Sequence, residues 1–424
     1  MEGIPTGKLS RIGVYGSMAT KVGYNRLRSK VSNISQEELD AKNSKIIFNA
    51  LTKLRGTALK FAQLLSIEDM LLTEEYKKQL QKSAYKVKPL NRAIVRKTIK
   101  NELHGYPEKL FNKFNSEAFA AASLGQVHRA EDSEGNQLAI KMQYPGIDET
   151  LKHDISMIKL AYKMIPHSPL FDAMLEEVED ILSKEVDYFS EAEHIEWFRE
   201  HMGHLDILLP TVYPKYSTDK ILVMEYMNGK HLDEWLATKP PQEVRNRVAQ
   251  KLFDLYCYSF FKLKTFQADS NIGNYLFMED EKIAFLDFGC IKRVPDTFPS
   301  AVIELVDASI SQDREAILEA YLSLGFLTGK DDKAFEKYYE DVFVPYSAWT
   351  SAPYREESFH FSIEKDFASS VMGANHIMVS ASEFKVQNSD YVFFSRGLYG
   401  LYKIFEQMDV TIELRSRLEK YRDN

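Results

Sequence analysis

The stretch Ala268–Gly289, ADSNIGNYLFMEDEKIAFLDFG, carries the residues from which the fold of this 424-residue chain is inferred. It contains Asp269, then Asn274 five residues later, then an Asp-Phe-Gly triplet that begins at Asp287. The apolar run before Asp287 predicts a mostly buried strand, and Gly289 allows the short turn that presents a carboxylate at its end. Carboxylate and amide oxygens are hard ligands, which Mg²⁺ takes together with phosphate oxygens. The stretch therefore predicts a site for magnesium and phosphate.

The overall composition is that of an ordinary soluble globular protein, with 44% hydrophobic and 27% charged residues. The net charge of −8 argues against general nucleic-acid binding, because that function needs a basic surface. Two cysteines form neither a disulfide framework nor a metal cluster, so we expect a reducing compartment. We expect no transmembrane helix and no signal peptide, because no apolar run is long enough for either.

The segment Gly7–Lys30 has a local excess of positive charge, with six basic residues and no acid. A solvated arm is one interpretation of this segment. Attraction to anionic lipid headgroups is a second, since each basic residue near such a surface contributes about 1 kcal/mol. A mitochondrial presequence is the third.

The next part of the chain is predicted to be helical. Apolar residues spaced three and four apart predict a helix over Ser44–Leu65, with Lys60 and Gln63 beside its apolar stripe. On the residues alone, these two side chains belong to the polar side of a helix. Further helices are predicted over Thr73–Lys86 and Asn91–Glu102.

The segment Phe119–Met142 is predicted to form strand, turn and strand. A run of small residues from Ala120 to Ala130 precedes Gly135-Asn136, which is a turn signal between strands. The second strand alternates, so that Lys141 lies on the face opposite Leu138 and Ile140. A lysine in this position is typical of the residue that holds the α- and β-phosphates of ATP, although most lysines on strands are merely solvated.

Acidic residues mark the following helical segment, Leu175–His201. Asp187 and Glu191 are four apart and share a helix face. Glu185 would lie about 200° round a regular helix from Asp187, so it either precedes the first regular turn or points elsewhere. A glutamate here is the ion-pair partner that a phosphate-binding lysine needs. The apolar strand Lys220–Gly229 follows, in the position of a hinge whose backbone binds adenine. Later helices are predicted over Gln250–Lys264, Pro299–Gln312 and Tyr391–Gln407.

These parts follow the order found in kinases, and their details resemble the UbiB/AarF family (ABC1-type, ADCK-like) of atypical kinase-like proteins linked to ubiquinone biosynthesis. The resemblance covers almost the whole chain. The segments that carry it are Arg11–Ala19, Arg55–Ser66 (a KxGQ-like helix), Ala120–His128 (an alanine-rich loop), Ile140–Gly146, Glu185–Asp187 (ExD) with Glu191, Ala268–Asn274 and Asp287–Gly289.

The resemblance implies an α+β, bilobal protein-kinase-like fold with an N-terminal helical extension over the active site and a mostly helical C-lobe. The domains expected from it are 1–110 for the extension, 111–227 for the N-lobe and 228–424 for the C-lobe. It also implies the roles of the site residues. Catalytic roles fall to Lys60, Gln63, Lys141, Glu185, Asp187, Glu191 and Asp269, ATP contacts to Ala120, Ala121, Ala122, Ser123, Gly125, Lys141, Glu225 and Met227, and Mg²⁺ binding to Asn274 and Asp287.

The implied function is that of an ATP- and Mg²⁺-binding ATPase supporting isoprenoid-quinone biosynthesis, rather than a kinase acting on proteins in trans. The expected partners are a nucleotide, an anionic membrane surface, isoprenoid-quinone or lipid precursors and a quinone-biosynthesis complex, and no nucleic acid. The expected location is cytoplasmic and peripheral to the inner membrane, or the matrix face in a mitochondrion. A small-molecule or lipid kinase and a nucleotide-binding scaffold stay open as alternatives.

The chain departs from the family pattern at two places. Ala62 replaces the glycine of the KxGQ motif, which favours the helix by up to about 1 kcal/mol but adds a methyl group. The run from Gln267 to Asn274, QADSNIGN, replaces a HADPHPGN-like run. The predicted catalytic and metal positions are retained there, whereas the neighbouring imidazoles are not.

Overall fold

The computed structural model describes residues 8–29, 42–43, 46, 49–50, 90–122, 124–162, 168–268, 272–330, 332–387 and 389–422. Most of the predicted helix Ser44–Leu65 and all of the predicted helix Thr73–Lys86 lie outside these residues. Four predicted site residues and one departure from the family pattern also lie outside: Lys60, Gln63, Ser123, Asp269 and Ala62.

The described secondary structure mixes many helices with small sheets. The α-helices are α1 (Lys8–Ser29), α2 (Arg92–Leu103), α3 (Pro107–Leu110), α4 (Ile147–Tyr162), α5 (Pro169–Glu185), α6 (Tyr188–Met202), α7 (Leu232–Ala237), α8 (Gln242–Cys257), α9 (Phe298–Ser311), α10 (Arg314–Ser323), α11 (Lys333–Lys337), α12 (Val344–Ser351), α13 (Met372–Ser380), α14 (Asp390–Met408) and α15 (Arg415–Glu419). The strands are β1 (Lys113–Phe114), β2 (Ala120–Ala122), β3 (Gly125–Glu131), β4 (Gln137–Gln143), β5 (Ile207–Leu208), β6 (Ile221–Glu225), β7 (Thr265–Gln267), β8 (Tyr275–Phe277), β9 (Ile283–Phe285), β10 (Ile291–Arg293), β11 (Ser358–Phe361) and β12 (Val410–Glu413).

The chain forms two compact units. The first is drawn from Met1–His167, Met174–Ala192 and Val212–Tyr226, and the second from Ser168–Ala173, Glu193–Thr211 and Met227–Asn424. The first unit contains a five-stranded sheet of order β1-β3-β4-β6, with β2 paired to β3. The second contains most of the helices and three sheets of two or three strands.

The sheet of the first unit has one face covered by α2. Leu138, Ile140 and Met142 of β4 point to this face and form a core with Val95 and Ile99 of α2. The helix begins where Asn91 caps it, since the Asn91 side chain accepts a hydrogen bond from Ala93 N. The hairpin of β3 and β4, predicted within Phe119–Met142, is confirmed, and so is the helix predicted over Asn91–Glu102. Lys141, as predicted, alternates to the opposite face of the strand.

The small-residue segment before the hairpin is a strand, not a loop. Ala120 pairs with Val127 and Ala122 pairs with Gly125, so β2 and β3 form a tight antiparallel hairpin. Gly125 also lies opposite Gln143 on β4. A Cβ atom built on Gly125 would lie 2.2 Å from the carbonyl oxygen of Met142, and only glycine fits such an approach.

We therefore expect Gly125→Ala to lower the free energy of unfolding by about 1–3 kcal/mol, because the β3–β4 backbones must separate. Urea denaturation at equilibrium measures the change. Gly135→Ala, in the turn between β3 and β4, is the control for the close approach. Its Cβ atom would have no neighbour within 4 Å, so its φ of +90° would supply backbone strain alone. Wild-type stability in the Gly125 variant would contradict the close approach.

His128 on β3 lies in a buried chain of hydrogen bonds. Its Nδ1–H donates to the Asn115 carbonyl at 3.0 Å, which leaves Nε2 to accept from the Gln126 amide at 2.7 Å. Gln126 Oε1 in turn accepts from Leu90 N at 3.0 Å. Burial lowers the pKa of His128 below its ordinary value. A proton added at Nε2 would face the amide donor of Gln126, so the folded chain keeps this imidazole neutral.

Stability should consequently fall as the pH is lowered. The unfolded chain binds a proton at His128 near pH 6.5, whereas the folded chain resists it, so the loss begins near that pH and grows below it. The slope from one such group reaches about 1.4 kcal/mol per pH unit. Urea denaturation at several pH values between 5.5 and 7.5 tests this, with His128→Gln as the variant that cannot titrate. Equal slopes for the two proteins would exclude His128 as the cause.

The helical segment predicted over Leu175–His201 consists of two helices, because the chain breaks between α5 and α6. Asp187 lies in this break and caps α6, since its Oδ1 accepts from Phe189 N at 3.1 Å and Ser190 N at 3.3 Å. Its Oδ2 accepts from Ser190 Oγ at 2.9 Å. Side chains of Asp and Ser compete in this way with the backbone bonds of a continuing helix.

In the first unit, α1 is attached to α4 by a buried ion pair. Arg11 donates through Nε to Asp154 Oδ1 at 3.1 Å and through a terminal nitrogen to Oδ2, and Tyr15 donates to Oδ1 at 3.0 Å. Asp154 is fully buried and Arg11 is 8% exposed. Arg11 is therefore not a surface cation, and the basic segment Gly7–Lys30 has one fewer charge for lipid than the sequence suggested.

The helices of the second unit largely match the predictions. The helices predicted over Pro299–Gln312 and Tyr391–Gln407 are confirmed as α9 and α14. The helix predicted over Gln250–Lys264 begins earlier, as α8, and ends in a π-helical turn at Tyr258–Lys262. Within the described ranges, no helix has the length and apolar character needed to cross a membrane.

Candidate functional site

Lys141 and Glu191 form a buried ion pair in the first unit. Lys141 Nζ donates to both carboxylate oxygens of Glu191, at 2.6 and 2.8 Å. The two side chains are 8% and 1% exposed. Nζ also lies 5.1 Å from the centre of the Tyr188 ring. Such a bidentate, charge-assisted contact fixes the lysine at one place on the sheet.

The predicted acidic residues lie at the break between α5 and α6 and in the first turn of α6. Glu191 lies in the first turn of α6, and its N–H donates to the Asp187 carbonyl at 3.2 Å. Glu185 is the last residue of α5 and is 4% exposed, and Asp187 is the cap described above. Lys60 and Gln63, the expected partners of Glu185 and Asp187, are outside the part of the chain that the structure describes.

The end of β6 holds the predicted hinge residue Glu225. Leu138 of β4 lies opposite Glu225, and Tyr226 N donates to the Gln137 carbonyl at 2.9 Å. Because adjacent pairs alternate in an antiparallel ladder, the backbone groups of Glu225 point away from β4. On that side of β6, the preceding residue, Met224, forms an antiparallel bridge with Val212. Met227, the second predicted hinge residue, belongs to the second unit.

In the second unit, a hairpin brings Asn274 and Asp287 to the same end. The strands β8 and β9 are antiparallel, with Tyr275 opposite Phe285, and Leu286 N donates to the Asn274 carbonyl at 2.9 Å. Asn274 precedes β8 and Asp287 follows β9, so the two predicted ligands flank one pair of strands. All three residues of β9 are buried, as the sequence predicted.

The backbone around Asp287 is held by two side chains that the sequence did not reveal. Gln267 Nε2 donates to the Asp287 carbonyl at 3.0 Å, and His194 Nδ1 donates to the Phe288 carbonyl at 2.9 Å. Asp287 Oδ1 also accepts from Gly289 N at 2.9 Å. Gln267 lies where the sequence departs from the family pattern, and this departure was the only feature of the sequence that drew attention to it. His194 carried none, because its partner is 94 residues away.

The donor set at the hairpin fits magnesium but not a metal cage built from protein alone. Among the described residues there is no group of three or more His, Cys, Asp and Glu side chains that could hold a metal ion. One carboxylate from Asp287 and one amide oxygen from Asn274 suit Mg²⁺ when phosphate oxygens and water complete its shell. The residues are consistent with a metal that arrives with a nucleotide.

The antiparallel sheet with its lysine and the helical unit with its Asp-Phe-Gly hairpin define an α+β protein of the kinase-like class. A family model described as "ABC1 atypical kinase-like domain" matches residues 80–321, more than half of the chain. The chain belongs to the ABC1 atypical kinase-like family. The family resemblance and the fold class predicted from the sequence are thereby confirmed.

Relatives with curated names cover most of the chain. It is 32% identical over 384 residues to "Atypical kinase COQ8B, mitochondrial" from Danio rerio, covering 85% of this chain and 60% of that protein. It is 29% identical over 375 residues to "Atypical kinase COQ8, mitochondrial" from Saccharomyces cerevisiae, covering 84% and 74% respectively. The chain thus spans about 60% of the length of the zebrafish relative.

A solved structure supports the fold alone. It is the complex of Rv3197 with erythromycin from Mycobacterium tuberculosis, which matches with a TM-score of 0.58 and 23% sequence identity. The match covers 91% of this chain and 97% of that one.

Proposed function

We propose that this chain binds ATP with Mg²⁺ and hydrolyses it slowly, in support of isoprenoid-quinone biosynthesis at a membrane surface. The observation that carries the proposal is the buried pair of Lys141 and Glu191. A lysine that is buried and held by two hydrogen bonds is not a solvent-exposed surface charge. It is fixed in a position from which it can bind a phosphate. Burying two charges seldom adds stability, so a function for the pair is the better explanation.

The roles proposed for the site follow from this pair. Lys141 contacts the α- and β-phosphates and Glu191 orients it, while the backbone at Glu225 and Met227 binds the adenine edge. Mg²⁺, held by Asn274 and Asp287, neutralises charge on the phosphates. The segment Ala120, Ala121, Ala122, Ser123 and Gly125 approaches the phosphates, and Asp269 lies beside the γ-phosphate. Lys60 and Gln63, paired with Glu185 and Asp187, exclude a protein substrate.

The proposed setting is a membrane surface, cytoplasmic and peripheral to the inner membrane, or the matrix face in a mitochondrion. The two COQ8 relatives are named as mitochondrial proteins. The proposed partners are anionic lipid, isoprenoid-quinone or lipid precursors and a quinone-biosynthesis complex. Among the described side chains of α1, Lys21 and Arg28 are exposed and suit such a surface, whereas Arg11 is used internally.

The test is a nucleotide-binding and phosphate-release assay with and without Mg²⁺ and anionic liposomes. Mg²⁺-dependent ATP binding with phosphate release, and no added protein substrate, is the expected result. Binding without turnover in the presence of lipid would favour the scaffold. Phosphate transfer to an added lipid or small alcohol would favour the kinase. No Mg²⁺-dependent nucleotide binding under any condition would overturn the proposal.

A further inference from the structure

Gln143 is a buried polar residue to which the proposed chemistry gives no role. It ends β4 and lies two residues after Lys141, so the two side chains emerge on the same face of the strand. Gln143 is 5% exposed. A side-chain amide this deeply buried is retained only where its hydrogen bonds are satisfied.

The amide nitrogen of Gln143 donates to two backbone carbonyls that belong to different segments. One is Val186 O, at 2.6 Å, in the break between α5 and α6. The other is Asp219 O, at 3.1 Å, in the loop before β6. A primary amide has two N–H donors, so both are used. Asp219 O also accepts from Tyr188 N at 3.2 Å, which joins the same loop to the first residue of α6.

These bonds connect the strand that carries Lys141 with the helix that carries Glu191. Val186 lies between Glu185 and Asp187, and Asp187 caps α6, so the Gln143 bond holds the cap itself. Glu191 follows within the first turn of the helix. Beside the ion pair, Gln143 therefore makes a second connection between β4 and the start of α6, through a neutral side chain on the same strand face.

We propose that Gln143 is a positioning residue. Its hydrogen bonds hold the segment Glu185–Asp187 and the start of α6 against β4, and this places the Glu191 carboxylate within hydrogen-bond distance of Lys141. The proposal rests on the proposed function for its effect on turnover, but the geometry that it describes does not need a nucleotide. Gln143 itself contacts no reacting atom in this account.

The chemistry of the contact requires an amide of this length. A methionine has nearly the same shape but no donor, so Val186 O would lose its bond from this side chain and Asp219 O would keep only the bond from Tyr188 N. A glutamate would bring a carboxylate against two carbonyl oxygens. An asparagine keeps both donors but is one methylene shorter.

The test compares Gln143→Met with Gln137→Met, an exposed glutamine at the other end of the same strand. Steady-state ATPase kinetics and hydrogen exchange of the amides over Val186–Glu191 are measured for both. In Gln143→Met we expect kcat to fall about tenfold or more with KM for Mg-ATP within about twofold, because a displaced lysine loses transition-state contacts. Exchange over Val186–Glu191 should also become faster. The control should match the wild type in both measurements.

The outcomes separate this proposal from the proposed function. A wild type that neither binds nor hydrolyses ATP removes the proposed function, while hydrogen exchange still tests Gln143. Unchanged exchange and unchanged kcat in Gln143→Met would overturn the positioning role. So would a lower stability with normal kcat and KM, which would make Gln143 structural only. If Gln143→Met does not fold, Gln143→Asn is measured in the same way and judged by the same criteria.

Discussion

Asp287→Asn is expected to abolish the Mg²⁺-dependent stabilisation of this protein by ATP while leaving the protein folded. The substitution keeps the side-chain oxygen that accepts from Gly289 N and the carbonyl that accepts from Gln267. It removes the negative charge proposed to attract Mg²⁺ to the end of the β8–β9 hairpin. An amide ligates magnesium weakly. The variant site would have two amides where the wild type has one amide and one carboxylate, so it would offset none of the cation's charge.

Thermal-shift titration with ATP in the presence and absence of Mg²⁺ measures the effect. Saturating ligand stabilises a protein by an amount set by its concentration relative to Kd, about 2.7 kcal/mol at a hundredfold excess. We expect this shift in the wild type and its loss in Asp287→Asn. Asp280→Asn is the matched control, because Asp280 is an exposed acid at the other end of the same hairpin, paired with Lys282. An undiminished shift in Asp287→Asn would exclude Asp287 as a ligand.

The sequence predicted the parts of the site that depend on local pattern. The hairpin carrying Lys141 shows period-two alternation and a Gly-Asn turn, and both signals are short-range. The hairpin carrying Asn274 and Asp287 is equally local, with an apolar run that ends in a turn. In both cases the chemistry-bearing residue lies at a position that the strand itself fixes.

The sequence did not predict contacts that join distant segments. Gln143 reaches Val186 and Asp219, which are 43 and 76 residues away, and no periodicity encodes such a bond. The sequence left open whether Glu185 precedes the first regular turn of the next helix, but it did not locate the break at Asp187. The helical spacing of apolar residues continues through it, and only the capping bonds of Asp187 show that the helix restarts. The ExD motif therefore has a structural role as a cap in addition to the one proposed at the site.

Arg11 is a further case in which charge counting misled. As one of six cations in Gly7–Lys30, it suggested a surface contact with lipid, because a charged residue is seldom buried unless it is paired. Its partner, Asp154, is 143 residues away on α4. Burial and the Asp154 charge raise the pKa of Tyr15 above its ordinary value, so Tyr15 stays a donor to the same carboxylate.

Removing either partner of this pair should therefore lower the free energy of unfolding of the first unit by about 3–5 kcal/mol, since the other charge stays buried and unpaired. We expect this for both Arg11→Met and Asp154→Leu, measured by urea denaturation. Asp148→Ala, an exposed acid in the first turn of α4, is the control and should cost no more than about 1 kcal/mol.

The double variant Arg11→Met/Asp154→Leu decides what the pair is for. If the pair is itself the source of stability, the double variant is as unstable as the single variants, because the same interaction is lost in all three. If it specifies where α1 lies on α4, two apolar side chains restore most of the stability, because the desolvation of both charges is removed together. We expect the second result, with the double variant more stable than either single variant by about 2 kcal/mol or more. A double variant no more stable than the single variants would show that the ion pair itself is the source of stability. Proteolysis within Lys8–Ser29 provides an independent readout, since a helix that has lost its position is cleaved faster even where the core of the unit is intact.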